Sequence, residues 1–207
     1  MGGNLSLFTP KLAPKESAGE PDSYRPSDRM IKYVLTPAVK NFREIPGDGG
    51  RAVQLSPTDA GKKILVYCTS TRLVRCANGK YFNSGHHPAE TFVPLYHWDK
   101  AGFAFEFVTM DGGKVAVEEW AFAACKGFET QIRSMQAKQD DAMKNPRKTS
   151  DIDPTAIADH YLAIFMPGGH APIIDTPKDQ EFGAILHAAS KIGLPTISIC
   201  HGPAALL

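Results

Sequence analysis

Four apolar runs, separated by stretches long enough to hold helices, constrain this chain more than any other feature. The first, Lys63-Ile64-Leu65-Val66-Tyr67-Cys68, is almost unbroken, as a strand is when both its faces are covered. Phe103 to Thr109, Tyr161 to Met166 and Pro195 to Cys200 repeat the pattern. Between the first two runs, Ala89, Phe92, Val93, Tyr96 and Trp98 recur at helical spacing over Pro88 to Ala101, and Gly102 ends the pattern. Between the last two, Asp179 to Lys191 places Phe182, Ile185, Leu186 and Ala189 on one stripe, followed by Gly193. Strands joined through helices lie parallel, so the predicted fold class is α/β with a doubly wound parallel sheet.

The rest of the chain decorates that sheet. Residues 1–61 are rich in Pro, Gly, Ser, Asp and Lys, with only short apolar stretches such as Met30 to Leu35, and read as an extended N-terminal arm with a dimer or lid role. Residues 62–207 form the single α/β domain. Within it, residues 118–159 are longer and more polar than a crossover needs, with a helical stretch around Phe128 to Met143 and a turn at Asn145-Pro146. They read as an inserted helical cap. With 207 residues and a net charge of +1, the chain has no field to hold a polyphosphate backbone or an anionic membrane. No segment has the roughly 18–20 apolar residues needed to cross a bilayer, so a cytoplasmic protein without a membrane partner is expected. Cys68, Cys76, Cys125 and Cys200 show neither a CxxC pair nor the spacing of a zinc module, which fits free thiols and no metal.

One cysteine has a context that suggests chemistry. In Ile197-Ser198-Ile199-Cys200-His201-Gly202-Pro203-Ala204-Ala205 an apolar strand runs into a nucleophile-type residue, then Gly, then Pro at a helix-starting position, the layout of a nucleophile elbow. A helix starting there is expected to lower the thiol pKa and to offer backbone N–H groups to an oxyanion. A buried strand-end cysteine is the competing reading. Cys68 and Cys125 read as core or surface thiols, and Cys76 is left open. A second motif, Pro167-Gly168-Gly169-His170, follows the strand ending at Met166. Glycines there let backbone approach a ligand, which makes Gly168 and Gly169 candidate oxyanion donors. A plain turn is equally compatible, whereas a nucleotide site lacks its glycine pattern, and no cofactor is implied. In the third motif, Gly85-His86-His87-Pro88-Ala89-Glu90-Thr91, Glu90 opens a helix either as dipole compensation or as a functional carboxyl group. The two histidines read as exposed.

Together, FNSGHHPAETFVPLYHWDKAGFAFEFVT, YLAIFMPGGHAPI and SICHGPAALL resemble the HchA branch of the PfpI superfamily, in order and spacing, over roughly residues 62–207. The resemblance implies a flavodoxin-like sheet, assembly as a homodimer, and a site in which Cys200 is the nucleophile, His201 its neighbour in the elbow and Glu90 the carboxyl that shuttles protons. Backbone N–H groups around Gly169 and His201 would form the oxyanion pocket. Bacterial members carry a metal on two histidines and a glutamate; the matching positions here read Asp99, Ala104 and, within the second block, Ala124 and Cys125, so the resemblance implies no metal. Family members also continue into a further sheet section that carries the acid orienting the elbow histidine. The expectation is a longer gene product, a fragment or a truncated paralogue. The implied activity is that of a glutathione-independent glyoxalase, turning methylglyoxal into lactate, or of a protein deglycase. Its substrates would be small reactive dicarbonyls or glycated proteins. The alternatives are a holding chaperone for unfolded proteins, with Cys200 as a redox sensor, and thirdly a cysteine peptidase or amidase.

Overall fold

The computed structural model describes residues 59–207, so the expected arm lies outside the described residues except for 59–61. Strand β1, Lys63–Cys68, runs through the middle of a five-stranded parallel sheet. Its side chains alternate between two cores, as the two-residue period of a strand requires. Ile64, Val66 and Cys68 enter one, and Leu65 and Tyr67 the other. After β1 a short antiparallel hairpin, β2 Leu73–Arg75 and β3 Tyr81–Asn83, stands apart from the main sheet. Helix α1, Pro88–Lys100, then starts with a proline in its first turn, where no N–H is missed. It buries Ala89, Phe92 and Leu95 and delivers the chain to β4, Ala104–Thr109, parallel to β1.

The inserted segment is woven into the same layers. A 3-10 stretch, Glu119–Cys125, leads to α2, Glu129–Lys138, and α3, Asp140–Lys144, so the expected helix over Phe128 to Met143 is divided at Gln139. Ile132 and Met135 of α2 and Met143 of α3 join Phe92 and Phe107 in the first core. The chain returns to the sheet edge as β5, Arg147–Lys148, parallel to β4. Helix α4, Ile157–His160, enters β6, Tyr161–Met166, which pairs with β1 on its other side. Helix α5, Pro172–Asp175, and helix α6, Gln180–Lys191, follow. The second helix buries Phe182, Ile185 and Ala189 in the second core. Strand β7, Thr196–Ser198, closes the sheet beside β6.

The order β5-β4-β1-β6-β7 makes this a doubly wound α/β fold with one helical layer on each face. Without the two-residue edge strand β5 the order is that of flavodoxin-like sheets. The winding reverses between β1 and β6, and the carboxyl ends of these two strands therefore open a crevice. All three motifs singled out in the sequence converge there.

Two expectations change at the end of the chain. The run Pro195 to Cys200 reads as a strand buried on both faces. Instead β7 has three residues, all exposed, and pairs only with β6. The helix expected from His201 is a 3-10 turn, Gly202–Leu206. Ile192, Ile197, Leu206 and Leu207 are exposed along this side.

Asp179 joins the layers. It caps α6 by accepting from Phe182 N–H at 3.0 Å, and it also accepts from Tyr67 Oη at 3.0 Å and Thr149 Oγ1 at 3.2 Å. Tyr67 stacks on Phe182 with ring centroids 3.5 Å apart. Asp179→Ala removes a cap and leaves the buried Tyr67 hydroxyl without its acceptor, while Thr149 Oγ1 keeps the Met110 carbonyl at 3.4 Å. A loss of about 2–4 kcal/mol is expected in urea unfolding monitored by circular dichroism.

Candidate active site

The elbow is built by backbone strain and close approach. Cys200 has φ of 74°, the only non-glycine residue in the left-handed region among the described residues. Such a conformation costs on the order of 1–3 kcal/mol and persists only where the surroundings enforce it. Here Ile199 N–H donates to the Met166 carbonyl at 3.2 Å, and Gly202 N–H donates to the Ile199 carbonyl at 2.7 Å. A Cβ on residue 202 would lie 2.2 Å from the Met166 oxygen, so the turn can close against β6 only with glycine there. The result is an exposed Cys200 lifted from the sheet, whereas Cys68, Cys76 and Cys125 are all buried. Cys76 packs with Phe82 under the hairpin, which settles its place in a small core.

Glu90, in the first turn of α1, comes to the same point from the other side of the crevice. Its carboxyl group faces the Cys200 side chain across Gly168, and its Oε2 is buried with no hydrogen-bond partner among the described residues. Gly168 makes this approach possible: a Cβ there would fall 2.1 Å from Glu90 Oε2 and 2.5 Å from Cys200 Cβ. The Gly168 carbonyl is held from β1 through His86. His86 Nε2 accepts from Thr69 N–H at 2.8 Å and Nδ1 lies 2.8 Å from the Gly168 oxygen, which requires the neutral ring with its proton on Nδ1. Burial agrees, pushing the His86 pKa down. His87 N–H donates to the same carbonyl at 3.2 Å. The His87 ring is buried with neither nitrogen hydrogen-bonded, and burial pushes its pKa down to about 4. Both histidines, expected to be exposed, are therefore interior groups that shape the crevice.

The Cys200 thiol differs from its expected state. Its pKa is pushed up to about 11, first by desolvation and then by the Glu90 charge, and these outweigh the backbone N–H groups of Gly169 and His201 beside the thiol. The expected lowering relied on a helix start, and a short 3-10 turn carries no comparable dipole. Burial likewise raises the Glu90 pKa, opposed by the neighbouring Cys200 thiol. Carboxyl and thiol thus compete for a proton, and the carboxylate is more basic than usual. His201 Nδ1 donates to the Gly169 carbonyl at 2.8 Å and stands 3.8 Å from Cys200 Sγ. Among the described residues it is a backbone carbonyl that orients this ring.

Cys200, His201, Glu90, Gly168 and Gly169 are therefore brought together. Two further residues join them that the sequence reading did not assign. Glu118 is buried completely, and its Oε1 accepts from His170 N at 3.0 Å and from Ser84 Oγ at 3.3 Å and lies 2.7 Å from His170 Nδ1. His170 stood in the quoted glycine motif. In the pair Glu118-Glu119, however, nothing in sequence says which carboxyl faces inward. At the positions matching the bacterial metal site, Asp99 is paired with Lys138 at 2.6 Å, Ala104 and Ala124 have no donor side chain, and Cys125 is a buried thiol, held protonated by burial, with its Sγ on the Ala121 carbonyl at 3.8 Å, so these residues do not fit a metal.

A doubly wound sheet whose switch-point crevice holds a strained cysteine elbow against a carboxyl group defines a cysteine-centred α/β protein. No protein-family profile matches the chain. It is 38% identical over 154 residues to the protein/nucleic acid deglycase HchA of Pseudomonas aeruginosa strain UCBPP-PA14, covering 73% of this chain and 52% of that protein. It is 33% identical over 195 residues to the protein of the same name from Escherichia coli O157:H7, covering 94% of this chain and 65% of the relative. The chain thus spans between about half and two thirds of the curated relatives it matches. In fold it resembles glyoxalase III from Candida albicans, with a TM-score of 0.56, 23% identity and coverage of 70% of this chain and 59% of that one. It also resembles the Rapid Encystment Protein of 24 kDa from Francisella tularensis, with a TM-score of 0.55, 23% identity and coverage of 70% and 61%. Over the matched residues the chain is a homologue of these HchA proteins.

Because the Glu90 charge helps to hold the thiol protonated, Glu90→Gln is expected to lower the Cys200 pKa. More thiolate is then present at any pH below it. Alkylation of Cys200 by iodoacetamide at pH 8 should accelerate roughly three- to tenfold, with the rate profile displaced to lower pH.

Proposed function

We propose that this chain carries the catalytic centre of a glutathione-independent glyoxalase or protein deglycase, with Cys200 as nucleophile. The observation that carries the reading is the meeting of the Glu90 carboxyl group and the strained elbow cysteine over Gly168, where a Cβ would lie 2.1 Å from Glu90 Oε2 and 2.5 Å from Cys200 Cβ. A thiol with a raised pKa needs a base at the moment of attack, and a desolvated carboxylate in direct contact is such a base. Glu90 takes the thiol proton as sulfur adds to the aldehyde carbon of methylglyoxal, giving a hemithioacetal. Backbone N–H groups of Gly169 and His201, beside the thiol, are suited to stabilise the oxyanion. A proton then leaves the former aldehyde carbon and returns to the neighbouring carbon through an enediol, handled by Glu90 with His201. Water cleaves the resulting lactoyl thioester to lactate and regenerates the thiol. In the deglycase version, a hemithioacetal or aminocarbinol formed between methylglyoxal and a protein side chain collapses to the aldehyde with release of that side chain's thiol or amine, and the Cys200 thiol adds to the same carbon. Homodimeric assembly and reactive dicarbonyl or glycated protein substrates belong to this reading.

A second reading, a holding chaperone, is favoured by the exposed apolar side chains Ile192, Ile197, Leu206 and Leu207 on the β7 side. Its requirement is different, since it needs no thiol.

The test is lactate production from methylglyoxal without glutathione by this chain and by Cys200→Ala and Glu90→Gln. The expected result is activity in the parent, none in Cys200→Ala, and a loss of at least about a hundredfold in Glu90→Gln despite its faster alkylation. Turnover retained in Cys200→Ala overturns the reading. Suppression of aggregation by a catalytically inert Cys200→Ala protein supports the second one.

A further inference from the structure

Beside the Cys200 and Glu90 pair lies a second set of buried ionisable groups that the proposed reaction does not use. Glu118 has no solvent exposure, and a buried carboxylate is tolerated only when paired and hydrogen-bonded. Its partner is His170. One oxygen of Glu118 lies within hydrogen-bond distance of both the ring Nδ1 of His170, at 2.7 Å, and its backbone N–H, at 3.0 Å. This double contact fixes the residue that follows Gly169. The Gly169 carbonyl takes the His201 Nδ1 proton and Gly168 before it lies against the Cys200 Cβ, so Glu118 holds the turn on which both contacts depend. The His170 ring in turn stands 5.7 Å from the His201 ring and is backed by Phe82 at 5.5 Å and Trp120 at 6.0 Å.

The pair also acts through its charges. Burial disfavours protonated His170, but the Glu118 carboxylate against its ring outweighs that and raises its pKa. Glu90 feels both members with opposite sign, Glu118 opposing its ionisation and His170 favouring it. The other ionisable groups around them are His87, held neutral by burial, Cys200 and His201 on the elbow, and His86 and Asp175 behind the crevice.

We propose that the Glu118–His170 pair is a positioning element of the Cys200 centre. It fixes the turn behind the thiol, and the imidazolium cancels a carboxylate charge that would otherwise oppose ionisation of Glu90 and Cys200. The inference rests on Cys200 as the reactive thiol, but its test needs no turnover.

The test follows iodoacetamide alkylation of Cys200 against pH in the full chain, read by mass spectrometry of the Cys200 peptide. His170→Gln leaves the Glu118 charge uncompensated. Alkylation at pH 6.5, below the raised pKa of His170, should slow roughly three- to tenfold, with the profile displaced to higher pH. The Glu118→Gln/His170→Gln double variant carries neither charge and should return to within about twofold of the parent. A double variant as slow as His170→Gln, or a His170→Gln profile that matches the parent, overturns the proposal. Should His170→Gln fail to fold, Glu118→Gln decides. Burial leaves its His170 neutral once the carboxylate is gone, so this variant also carries neither charge and should alkylate within about twofold of the parent at pH 6.5, and a rate slowed threefold or more overturns the proposal. Absence of methylglyoxal turnover in the parent would count against the glyoxalase reading while leaving this cycle intact.

Discussion

The Glu90 carboxyl and the Cys200 side chain meet over the Cα of Gly168, and the rest of the site is arranged around that approach. Three segments far apart in sequence converge there: the first turn of α1, the turn after β6 and the elbow after β7. Each would be pushed away by a single added carbon atom. A Cβ at 168 would overlap both reacting groups, one at 169 would meet the Gly85 carbonyl at 2.3 Å, and one at 202 would strike the end of β6. His86 locks the arrangement from behind, since its ring links the end of β1 to the Gly168 carbonyl with one donor and one acceptor. Buried polar groups that are fully satisfied specify a unique geometry, and this one sits where the winding of the sheet reverses.

Such close approach has an electrostatic consequence. The thiol is not pre-ionised by its surroundings, because desolvation and a neighbouring carboxylate both favour its neutral form. In the proposed reaction the same carboxylate then supplies the base. This is a different design from a thiolate stabilised by a helix dipole. It makes the charge state of Glu90, and of whatever stands near Glu90, the controlling quantity.

The fold was largely legible because burial on both faces of a parallel sheet writes itself as continuous apolar runs. Lys63–Cys68 and Tyr161–Met166 are strands over the residues read from sequence, and both crossover helices lie within a residue or two of their apolar stripes. β5 was not legible, since Arg147 and Lys148 are charged and gain strand conformation only by pairing with β4. Nor was the exposure of β7, because Thr196-Ile197-Ser198 has the composition of a covered strand wherever it lies in the sheet. In the site, Cys200 and the two glycines announced themselves through turn chemistry. Glu118 did not, as a carboxylate beside a second carboxylate reads as a solvated pair until a histidine from another element is placed against it.

What the sequence by itself determined is therefore local: apolar periodicity specified strands and helices, and the succession of strand, cysteine, glycine and proline specified an elbow. Both depend on neighbours within a few residues. Tertiary structure alone decided the ionisation of the site. Burial raised the pKa of Cys200 and lowered that of His87, and contact between distant segments paired Glu90 with the thiol and Glu118 with His170. The energy of a charge is set by the dielectric and by the charges within a few ångströms of it, and neither is a property of position along the chain.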